Sequence, residues 1–412
     1  MKKRVVITGL GVTAPIGIGK DEFWNSLTTG KSGIEKITRF DASGYPCQVA
    51  GEINNFDTAN FFDSKTARRM DRFSQLSVAC AQMAIEDAGI EIGNGALENA
   101  GVVVSSAMGG IPMAEDQHSL FLEKGLKRVS PYLAISIFSG AASSQISISL
   151  GIKGCGNTIG GGCTAGTDAV GYAFEIIRNG EVSMVLAGGA EAPLAPLAFG
   201  AFCVIHALST INGNPARASR PFDAERNGFV MSEGAGIMVL EELEHALKRG
   251  AHIYAEVVGY ATTHDSFNMV QPSPIAEGAA EAVKIGLKNA GILPDKIDYI
   301  NAHGTSTQVN DKVETIMIKE VFGERAYSIP ISATKSMIGH AIGASGAIEI
   351  IATILSIENQ FLHPTINYEY PDPECDLDYV PNVGRPAHVT YALANSFGFG
   401  GKNSTLILKK FC

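Results

Sequence analysis

An approximate internal repeat restricts the possible folds of this chain more than any other sequence feature. Four segments of the first half recur in the same order in the second half, and each contains a strand or a helix start with a glycine turn. The recurring segments are residues 253–265, 298–304, 340–347 and 396–401, which echo residues 4–14, 101–109, 163–169 and 232–240. Four echoes in one order are not expected by chance. Because strands alternate with helices in each half, we predict two similar α/β halves, residues 1–250 and residues 251–412.

The composition excludes several classes of function. A chain of 412 residues with 45% hydrophobic content can bury an ample core, and its net charge of −10 argues against nucleic-acid binding. The seven cysteines are scattered and lack CxxC spacing, which argues against zinc or a disulfide framework and favours a reducing compartment. No signal peptide is recognised, and no later apolar run is expected to reach membrane-spanning length. We therefore expect a cytoplasmic protein with no metal and no membrane partner.

The segment GLGVTA, residues 9–14, is similar to a dinucleotide-binding loop. The helix that such a loop requires does not follow, because Pro15 and further glycines intervene. No acidic residue ends a second strand at the usual distance. The sequence therefore predicts no nicotinamide site.

Two other segments have helical patterns. Residues 64–89 form a long stretch with an apolar stripe and a basic start, and we predict one long helix there. Residues 131–150 are apolar and rich in small side chains, which is typical of a buried helix or of a subunit contact.

In the segment TIGGGCTAGTDA, residues 158–169, a run of glycines ends in Cys163, and a helical pattern follows directly. This places Cys163 in a tight turn at a helix N-terminus, where free N–H groups and the helix dipole favour a thiolate. The glycines allow a sharp bend and leave space beside the sulfur. We interpret Cys163 as a nucleophile, although a cysteine taken at random is more often a buried structural residue.

Two histidines of the second half lie in glycine-rich turns at strand or helix ends. His303 follows a predicted strand, and His340 takes the place of Cys163 in the third echo. Corresponding ends of repeated elements meet across a pseudo-twofold axis, so we expect both imidazoles to face Cys163. The other seven histidines are expected to be ordinary surface or core residues.

Two charged residues accompany His340. Lys335 precedes it by five residues, and Glu349 follows it by nine on the next helix. The lysine would disfavour a protonated histidine, and the glutamate would fix the lysine. For Glu349 an ordinary surface ion pair is an open alternative.

A cysteine that faces two neutral histidines suits thioester chemistry. The thiolate can accept an acyl group while two N–H donors hold a second thioester as it becomes an enolate. The backbone N–H groups of Cys163 and Phe399 would form the oxyanion hole. A cysteine protease would need one base and an orienting Asn or Asp, which leaves the second histidine unexplained.

These residues resemble the β-ketoacyl-acyl carrier protein synthases of the thiolase-like fold, over the whole chain. The likeness is closest to the synthase II group and to the ketosynthase subunits of type II polyketide synthases. It is carried by four segments, residues 162–166, 301–307, 335–340 and 395–401. The resemblance implies an α/β fold of duplicated halves in an α-β-α-β-α arrangement, with the cysteine in the N-terminal half and both histidines in the C-terminal half.

The resemblance also implies roles for individual residues. Cys163 would carry the acyl chain, His303 and His340 would support malonyl decarboxylation, and Lys335 and Glu349 would support them. Thr305 and Thr307 would bind the phosphopantetheine arm of the carrier protein, so no cofactor of the enzyme's own is expected. Further substrate-binding positions implied by the resemblance are Met108, whose flexible thioether would set the depth of the acyl pocket, Phe397, and the gate residue Phe399.

The carrier protein is acidic in this family, so a basic surface patch is expected to bind it. The candidate residues are Lys65, Arg68, Arg69, Lys127 and Arg128. A solvated helix face is an equally acceptable interpretation of these residues.

Several questions stay open at this point. Residues 269–272 (MVQP) and Gln308 depart from the family pattern, and other segments are similar to polyketide ketosynthases. The sequence therefore lies between fatty-acid synthase II enzymes and polyketide ketosynthases. The family is dimeric, and the partner is either an identical chain or a chain-length-factor-like subunit. A degradative thiolase would need a second cysteine near the C-terminus, where this chain has Phe397 and Phe399. A catalytically inactive chain-length-factor-like subunit would lack the nucleophile, which this chain keeps.

Overall fold

The fold is described from a computed structural model, which describes residues 2–93 and 95–412. The strands are β1 (Val5–Ala14), β2 (Gly17–Ile18), β3 (Ile34–Lys36), β4 (Val49–Gly51), β5 (Gly101–Ser105), β6 (Gly156–Ile159), β7 (Met184–Glu191), β8 (Gly234–Glu242), β9 (Ala255–His264), β10 (Tyr299–Asn301), β11 (Ile331–Ser332), β12 (Phe361–Leu362), β13 (Arg385–Pro386), β14 (Tyr391–Gly398) and β15 (Lys402–Lys410). The α-helices are α1 (Lys20–Thr28), α2 (Ser64–Ala67), α3 (Arg72–Asp87), α4 (Ile111–Lys124), α5 (Leu133–Ser136), α6 (Ala141–Leu150), α7 (Ala165–Arg178), α8 (Pro196–Val204), α9 (Leu243–Lys248), α10 (Glu277–Ala290), α11 (Gln308–Phe322), α12 (Lys335–Ile338) and α13 (Ser345–Asn359).

The order of the strands in the main sheet carries the internal repeat. Within the described residues the order is β11-β10-β14-β15-β9-β1-β8-β7-β5-β6. The pairings from β11 inwards to β9 are parallel or antiparallel in the same order as those from β6 inwards to β1. The pairs β10/β11 and β10/β14 are parallel, as are β5/β6 and β5/β7, whereas β14/β15, β15/β9, β7/β8 and β1/β8 are antiparallel. Each half of the chain thus builds the same five-stranded arrangement, and the halves join where β1 pairs with β9. The boundary at residue 250 stays a prediction.

The helices form layers on both faces of these strands. Alternate residues of a strand point to opposite faces. In β5, Val103 belongs to the cluster around α7 and α13, whereas Val102 and Val104 belong to the cluster around α3 and α6. In the second half, α10 packs on the outer face of β9 and β15, and α7 contacts α13 in the centre. The predicted α/β architecture of duplicated, layered halves is confirmed.

Two local predictions were wrong. Residues 64–89 form two helices rather than one, because the Asp71 side chain accepts a hydrogen bond from the Phe73 N–H and thereby starts α3. Residues 9–14 are not a turn but the second half of β1. A Cβ on Gly11 would lie 1.9 Å from the Cys80 carbonyl oxygen, so this glycine allows α3 to pack closely on the strand.

A third expectation concerned apolar runs. The segment Ile342–Asn359 is long and apolar enough to cross a membrane by length and composition, contrary to that expectation. It is, however, 89% buried inside the protein, where it forms α13 and the turn before it. Its apolar character is therefore explained by a central position between the two halves.

The segment 131–150 is only partly buried. It forms α5 and α6, and Ile135, Phe138 and Ile148 are exposed. Nearby, β6 is an edge strand of the main sheet and its residues are exposed or half-buried. An exposed edge beside exposed apolar side chains is typical of a surface that a partner covers.

Candidate active site

A cavity of about 430 Å³ opens at the carboxyl ends of the parallel strands of both halves. Segments after β5, β10 and β14 contribute to its wall, as do the turns that precede α7 and α13. Its lining includes Cys163, His303 and His340, which the sequence analysis predicted to meet. The repeat brings these three side chains together because equivalent strand ends and helix starts converge there.

Cys163 lies in a 3₁₀ turn, Gly162–Thr164, that leads directly into α7. Gly162 has φ +71°, a left-handed conformation that favours glycine, and the turn presents the half-buried Cys163 to the cavity. Burial raises the pKa of the Cys163 thiol to about 11, against the opposing effects of Lys335 and the Phe399 N–H. The expectation that the helix start favours a thiolate is thus wrong for the free protein, because desolvation outweighs the groups that lower this pKa.

His303 lies two residues after the end of β10 and is 3% exposed. Its backbone N–H donates to Oε1 of Glu314 (2.9 Å), and its Nδ1 lies 3.2 Å from Nζ of Lys335. Burial lowers the pKa of His303 well below its usual value, and the charges of Lys335 and His340 lower it further. The imidazole is therefore neutral at physiological pH.

His340 is 2% exposed and packs edge-on against His303, with ring centroids 5.3 Å apart. Its Nδ1 lies 2.7 Å from Oγ of Ser345, and its ring edge contacts Phe229. Burial lowers the pKa of His340 well below its usual value, and the charge of Lys335 lowers it further. Since Nδ1 of each ring has a partner inside the protein, Nε2 of each ring is the nitrogen left to face a substrate.

Lys335 and Glu349 form a buried ion pair, with side chains 1% and 2% exposed. The alternative of a surface pair for Glu349 is thereby excluded. Nζ of Lys335 also donates to the His303 carbonyl oxygen at 2.8 Å. The predicted effect of the lysine on the histidines is confirmed, because its charge lowers the pKa of both. Burial raises the pKa of Glu349 to about 7, although the lysine acts against this rise.

The predicted substrate-binding side chains all line the cavity. They are Met108, Thr305, Thr307, Phe397 and Phe399. The hydroxyls of Thr305 and Thr307 are 2.8 Å apart, and that of Thr307 also caps α11 by accepting from the Asn310 N–H. Phe399 is 37% exposed and stacks on Phe202, so it lies at the cavity surface. These contacts are compatible with the roles that were predicted, which stay predictions.

The five basic residues predicted to dock a carrier protein are all exposed. Within residues 2–93 and 95–412 none of them forms an ion pair with an acidic side chain. Arg69 lies over the Tyr132 ring, and its carbonyl accepts a hydrogen bond from Ser136. Segment 130–136 is thus close to Arg69, and its chain neighbours Lys127 and Arg128 continue the same surface.

Two buried carboxylates of the site were missed by the sequence analysis. Glu191 ends β7 and Glu314 lies on α11, and both accept hydrogen bonds from backbone N–H groups of cavity-lining segments. Burial raises the pKa of each to about 7. The run GGAE at the end of a strand, residues 188–191, was the available signal for Glu191.

One detail of the repeat was also wrong. The 3₁₀ turn before α13 is Ile342–Ala344, and the one before α7 is Gly162–Thr164. Gly343 is therefore the structural counterpart of Cys163, and His340 lies three residues earlier. The sequence echo placed His340 there because both segments share glycine and alanine at several possible alignments.

A thiol, two neutral imidazoles and a buried ion pair at the meeting point of duplicated α/β halves define the class of condensing enzymes with the thiolase-like fold. The family model "Beta-ketoacyl synthase, N-terminal domain" matches residues 2–246, and "Beta-ketoacyl synthase, C-terminal domain" matches residues 254–369. The chain therefore belongs to the β-ketoacyl synthase family, as its sequence predicted.

Known members of the family are similar to this chain over its full length. The 3-oxoacyl-[acyl-carrier-protein] synthase 2 of Synechocystis sp. is 48% identical and the alignment covers 100% of this chain and 99% of that protein. The structure of the ishigamide ketosynthase/chain length factor has a TM-score of 0.94 at 38% identity, covering 100% of both chains. A type II PKS ketosynthase in complex with its acyl-carrier protein has a TM-score of 0.91, also at 38% identity and 100% coverage of both chains.

Proposed function

We propose that this protein is a β-ketoacyl-[acyl carrier protein] synthase, which extends a Cys-bound acyl chain by decarboxylative condensation with a malonyl thioester. The observation that carries the proposal is the convergence of Cys163, His303 and His340 on one cavity. The enzyme would work without a cofactor of its own, since both substrates arrive as thioesters of a carrier protein.

The geometry suggests how the acyl group is loaded. In the free enzyme the Cys163 thiol holds its proton, so attack on an acyl thioester requires that this proton be transferred. As the sulfur attacks, its proton passes to the departing carrier thiolate, which leaves as a thiol, and both imidazoles stay neutral. The sulfur–carbonyl bond forms as the carrier's thioester bond breaks. Backbone N–H groups of Cys163 and Phe399 would hold the developing oxyanion, since Gly398 packs directly beside the Cys163 nitrogen.

The second step needs donors for an enolate. The malonyl thioester loses carbon dioxide, and its bonding electrons move to the thioester carbonyl, whose oxygen would be held by Nε2–H of His303 and His340. The enolate carbon then attacks the acyl group on Cys163, and the Cys163 thiolate leaves. Two neutral donors suit this step because a protonated imidazole could quench the carbanion, and burial, together with the charge of Lys335, lowers the pKa of both rings and keeps them neutral.

The comparisons favour fatty-acid synthesis over polyketide assembly. Identity is 48% to a 3-oxoacyl-[acyl-carrier-protein] synthase 2 and 38% to the two ketosynthase structures described above. A type II polyketide ketosynthase that works only with a chain-length-factor partner is the second candidate. A degradative thiolase is disfavoured because Phe397 and Phe399 occupy the region where a second cysteine is needed.

We further propose an acidic acyl carrier protein and a second subunit as partners. The exposed basic residues around Arg69 and Arg128 would bind the carrier, and the edge strand β6 with the exposed apolar side chains of α5 and α6 would bind the subunit. All seven cysteines are free, which supports the cytoplasm as the compartment.

Intact-protein mass spectrometry tests the proposal. The purified protein is incubated alone with a medium-chain acyl carrier protein, and malonyl carrier protein is then added. We expect one acyl adduct on the wild-type chain, followed by a β-ketoacyl product released on the carrier.

Variant Cys163→Ala should show no adduct, and Cys155→Ala serves as the matched control because Cys155 is exposed and lies outside the cavity lining. An adduct on Cys163→Ala would overturn the assignment of the nucleophile. Loading that proceeds to product only after a second, different subunit is added would favour the polyketide ketosynthase.

A further inference from the structure

Glu191 is a buried glutamate whose carboxylate contacts two separate walls of the cavity. It ends β7 in the first half of the chain and is 0% exposed. Oε1 accepts from the Ser106 hydroxyl (2.8 Å) and the Met108 N–H (3.1 Å), and Oε2 accepts from the Ala107 N–H (2.8 Å) and the Gly343 N–H (3.0 Å). No basic side chain pairs with it within the described part of the chain, so these four donors are what stabilises its buried oxygens.

The first wall is the segment after β5. Met108 lines the cavity, and its backbone is fixed by Glu191 through its own N–H and that of Ala107. The Ser106 hydroxyl donates to the carboxylate and also accepts from the Gly109 N–H (3.0 Å). The conformation of the whole segment that presents Met108 therefore depends on one carboxylate.

The second wall is the turn before α13. Ile342 lines the cavity with φ +41°, which is a strained conformation for a β-branched residue. Such strain persists only where the surroundings enforce it. The next residue, Gly343, donates its N–H to Glu191, and a Cβ on Gly343 would lie 2.6 Å from Oε2. Glu191, which belongs to the first half of the chain, therefore stabilises the strained turn of the second half through its hydrogen bond to Gly343.

The second half of the chain uses the same device. The N–H groups of His303 and Gly304, which follow β10, donate to Glu314. Because β10 is the counterpart of β5, Glu314 does for His303 what Glu191 does for Met108. Glu191 differs in also reaching across the interface of the halves to Gly343.

We propose that Glu191 is a positioning residue that fixes Met108 and Ile342 in the cavity wall and thereby sets the acyl-chain selectivity of the enzyme. The part that concerns selectivity rests on the proposed function. The positioning itself does not, since it concerns only backbone amides. Glu191 does not need to touch the substrate for this role.

Variant Glu191→Gln tests both parts, because a carboxamide keeps the shape but its NH2 group cannot accept from two of the donors. Glu241→Gln is the matched control: Glu241 is also 0% exposed and hydrogen-bonded, but its partners Thr8, His245 and Arg249 lie outside the cavity lining. If Glu191→Gln does not fold, the variant Ser106→Ala is used instead, because it removes one donor to the same carboxylate.

The first readout is amide hydrogen exchange. Peptides that cover residues 106–109 and 341–345 should exchange at least about tenfold faster in Glu191→Gln than in the wild type, while Glu241→Gln leaves them unchanged. Unchanged exchange in these peptides would overturn the proposal, whatever the enzyme's activity.

The second readout is acyl loading of Cys163 from thioesters of increasing chain length. We expect the ratio of kcat/KM between the best and the poorest chain to fall about tenfold in Glu191→Gln and to stay constant in Glu241→Gln. Faster exchange with an unchanged chain profile would overturn the role in selectivity. Absence of loading in the wild type would instead refute the proposed function, and the exchange result would then decide the positioning.

Discussion

The buried ion pair between Lys335 and Glu349 predicts a large and strongly non-additive effect of substitution. Nζ and Oε1 are 2.5 Å apart, and both side chains are almost fully buried. Variant Glu349→Gln keeps the shape and an acceptor oxygen but removes the negative charge that compensates the buried ammonium, whose other partners are the His303 carbonyl and ring nitrogen. Breaking a buried pair by removing one charge costs about 3–5 kcal/mol of the free energy of unfolding.

Removing both charges should cost far less. The double variant Lys335→Met/Glu349→Leu replaces the pair by apolar side chains of similar size, an exchange that is often neutral. We therefore expect the double variant to be more stable than Glu349→Gln, with a coupling energy of at least about 2 kcal/mol. It should nevertheless lose condensation activity, because His303 loses the ammonium beside its Nδ1 that fixes its tautomer and adds to burial in lowering the pKa of both histidines.

Urea denaturation followed by fluorescence of the single tryptophan measures these differences, since Trp24 packs against Phe361 away from the site. Glu320→Gln is the control, because the Lys284–Glu320 pair is about half exposed and should contribute at most about 1 kcal/mol. If the destabilisation of the double variant equals the sum of the destabilisations of Lys335→Met and Glu349→Leu measured separately, Lys335 and Glu349 do not stabilise each other as a buried pair.

Three further predictions follow from buried groups and close contacts. Burial lowers the pKa of His363 to about 4, below that of the unfolded chain. The wild type should therefore lose about 3 kcal/mol of its free energy of unfolding relative to His363→Gln as the pH falls from 6.5 to 4. Equal pH profiles of the two proteins in urea denaturation would contradict this. Alkylation of Cys163 by iodoacetamide, measured by peptide mass, should rise about tenfold per pH unit from pH 7 to 9, whereas a plateau near pH 7 would mean a stabilised thiolate. Gly166→Ala places a Cβ 2.7 Å from the Ala347 nitrogen and should lower the free energy of unfolding by about 1–3 kcal/mol. The control Gly160→Ala should be neutral, because nothing lies within 4 Å of the added Cβ. Equal effects of the two variants would exclude a close contact between α7 and α13.

The sequence was sufficient to predict which reactive and charged side chains meet at the cavity. Cys163, His303 and His340 could be predicted because each is a reactive residue in a glycine-rich turn at a strand or helix end. Lys335 and Glu349 could be predicted because they are charged and close to His340 in the chain. The repeat also predicted that the two halves would place them together. These residue types leave a pattern that is visible in the order of the amino acids alone.

The features that the sequence analysis missed depend on backbone contacts, burial and helix capping, which cannot be inferred from residue types alone. Glu191 and Glu314 act on backbone N–H groups, which every residue except proline carries, so no pattern marks their partners. The pKa of Cys163 was misjudged because burial raises it and the degree of burial is not visible in the sequence. The helix boundary at Asp71 was missed because an aspartate can cap a helix or lie on its exposed face.

The course of the terminal strands limits how this enzyme can be joined to other domains. Val5 and Leu408 flank Val257 on its two sides, so the two ends of the chain emerge close together. Lys409 pairs with Tyr391 at the start of β14, whereas the catalytic cavity lies beyond Gly398 at its end, roughly 25 Å away at 3.4 Å per residue. A carrier domain tethered after Cys412 would have to cover this distance to deliver its pantetheine arm into the same subunit. A self-loading fusion of this chain would therefore need a tether longer than a strand, or delivery to a neighbouring subunit.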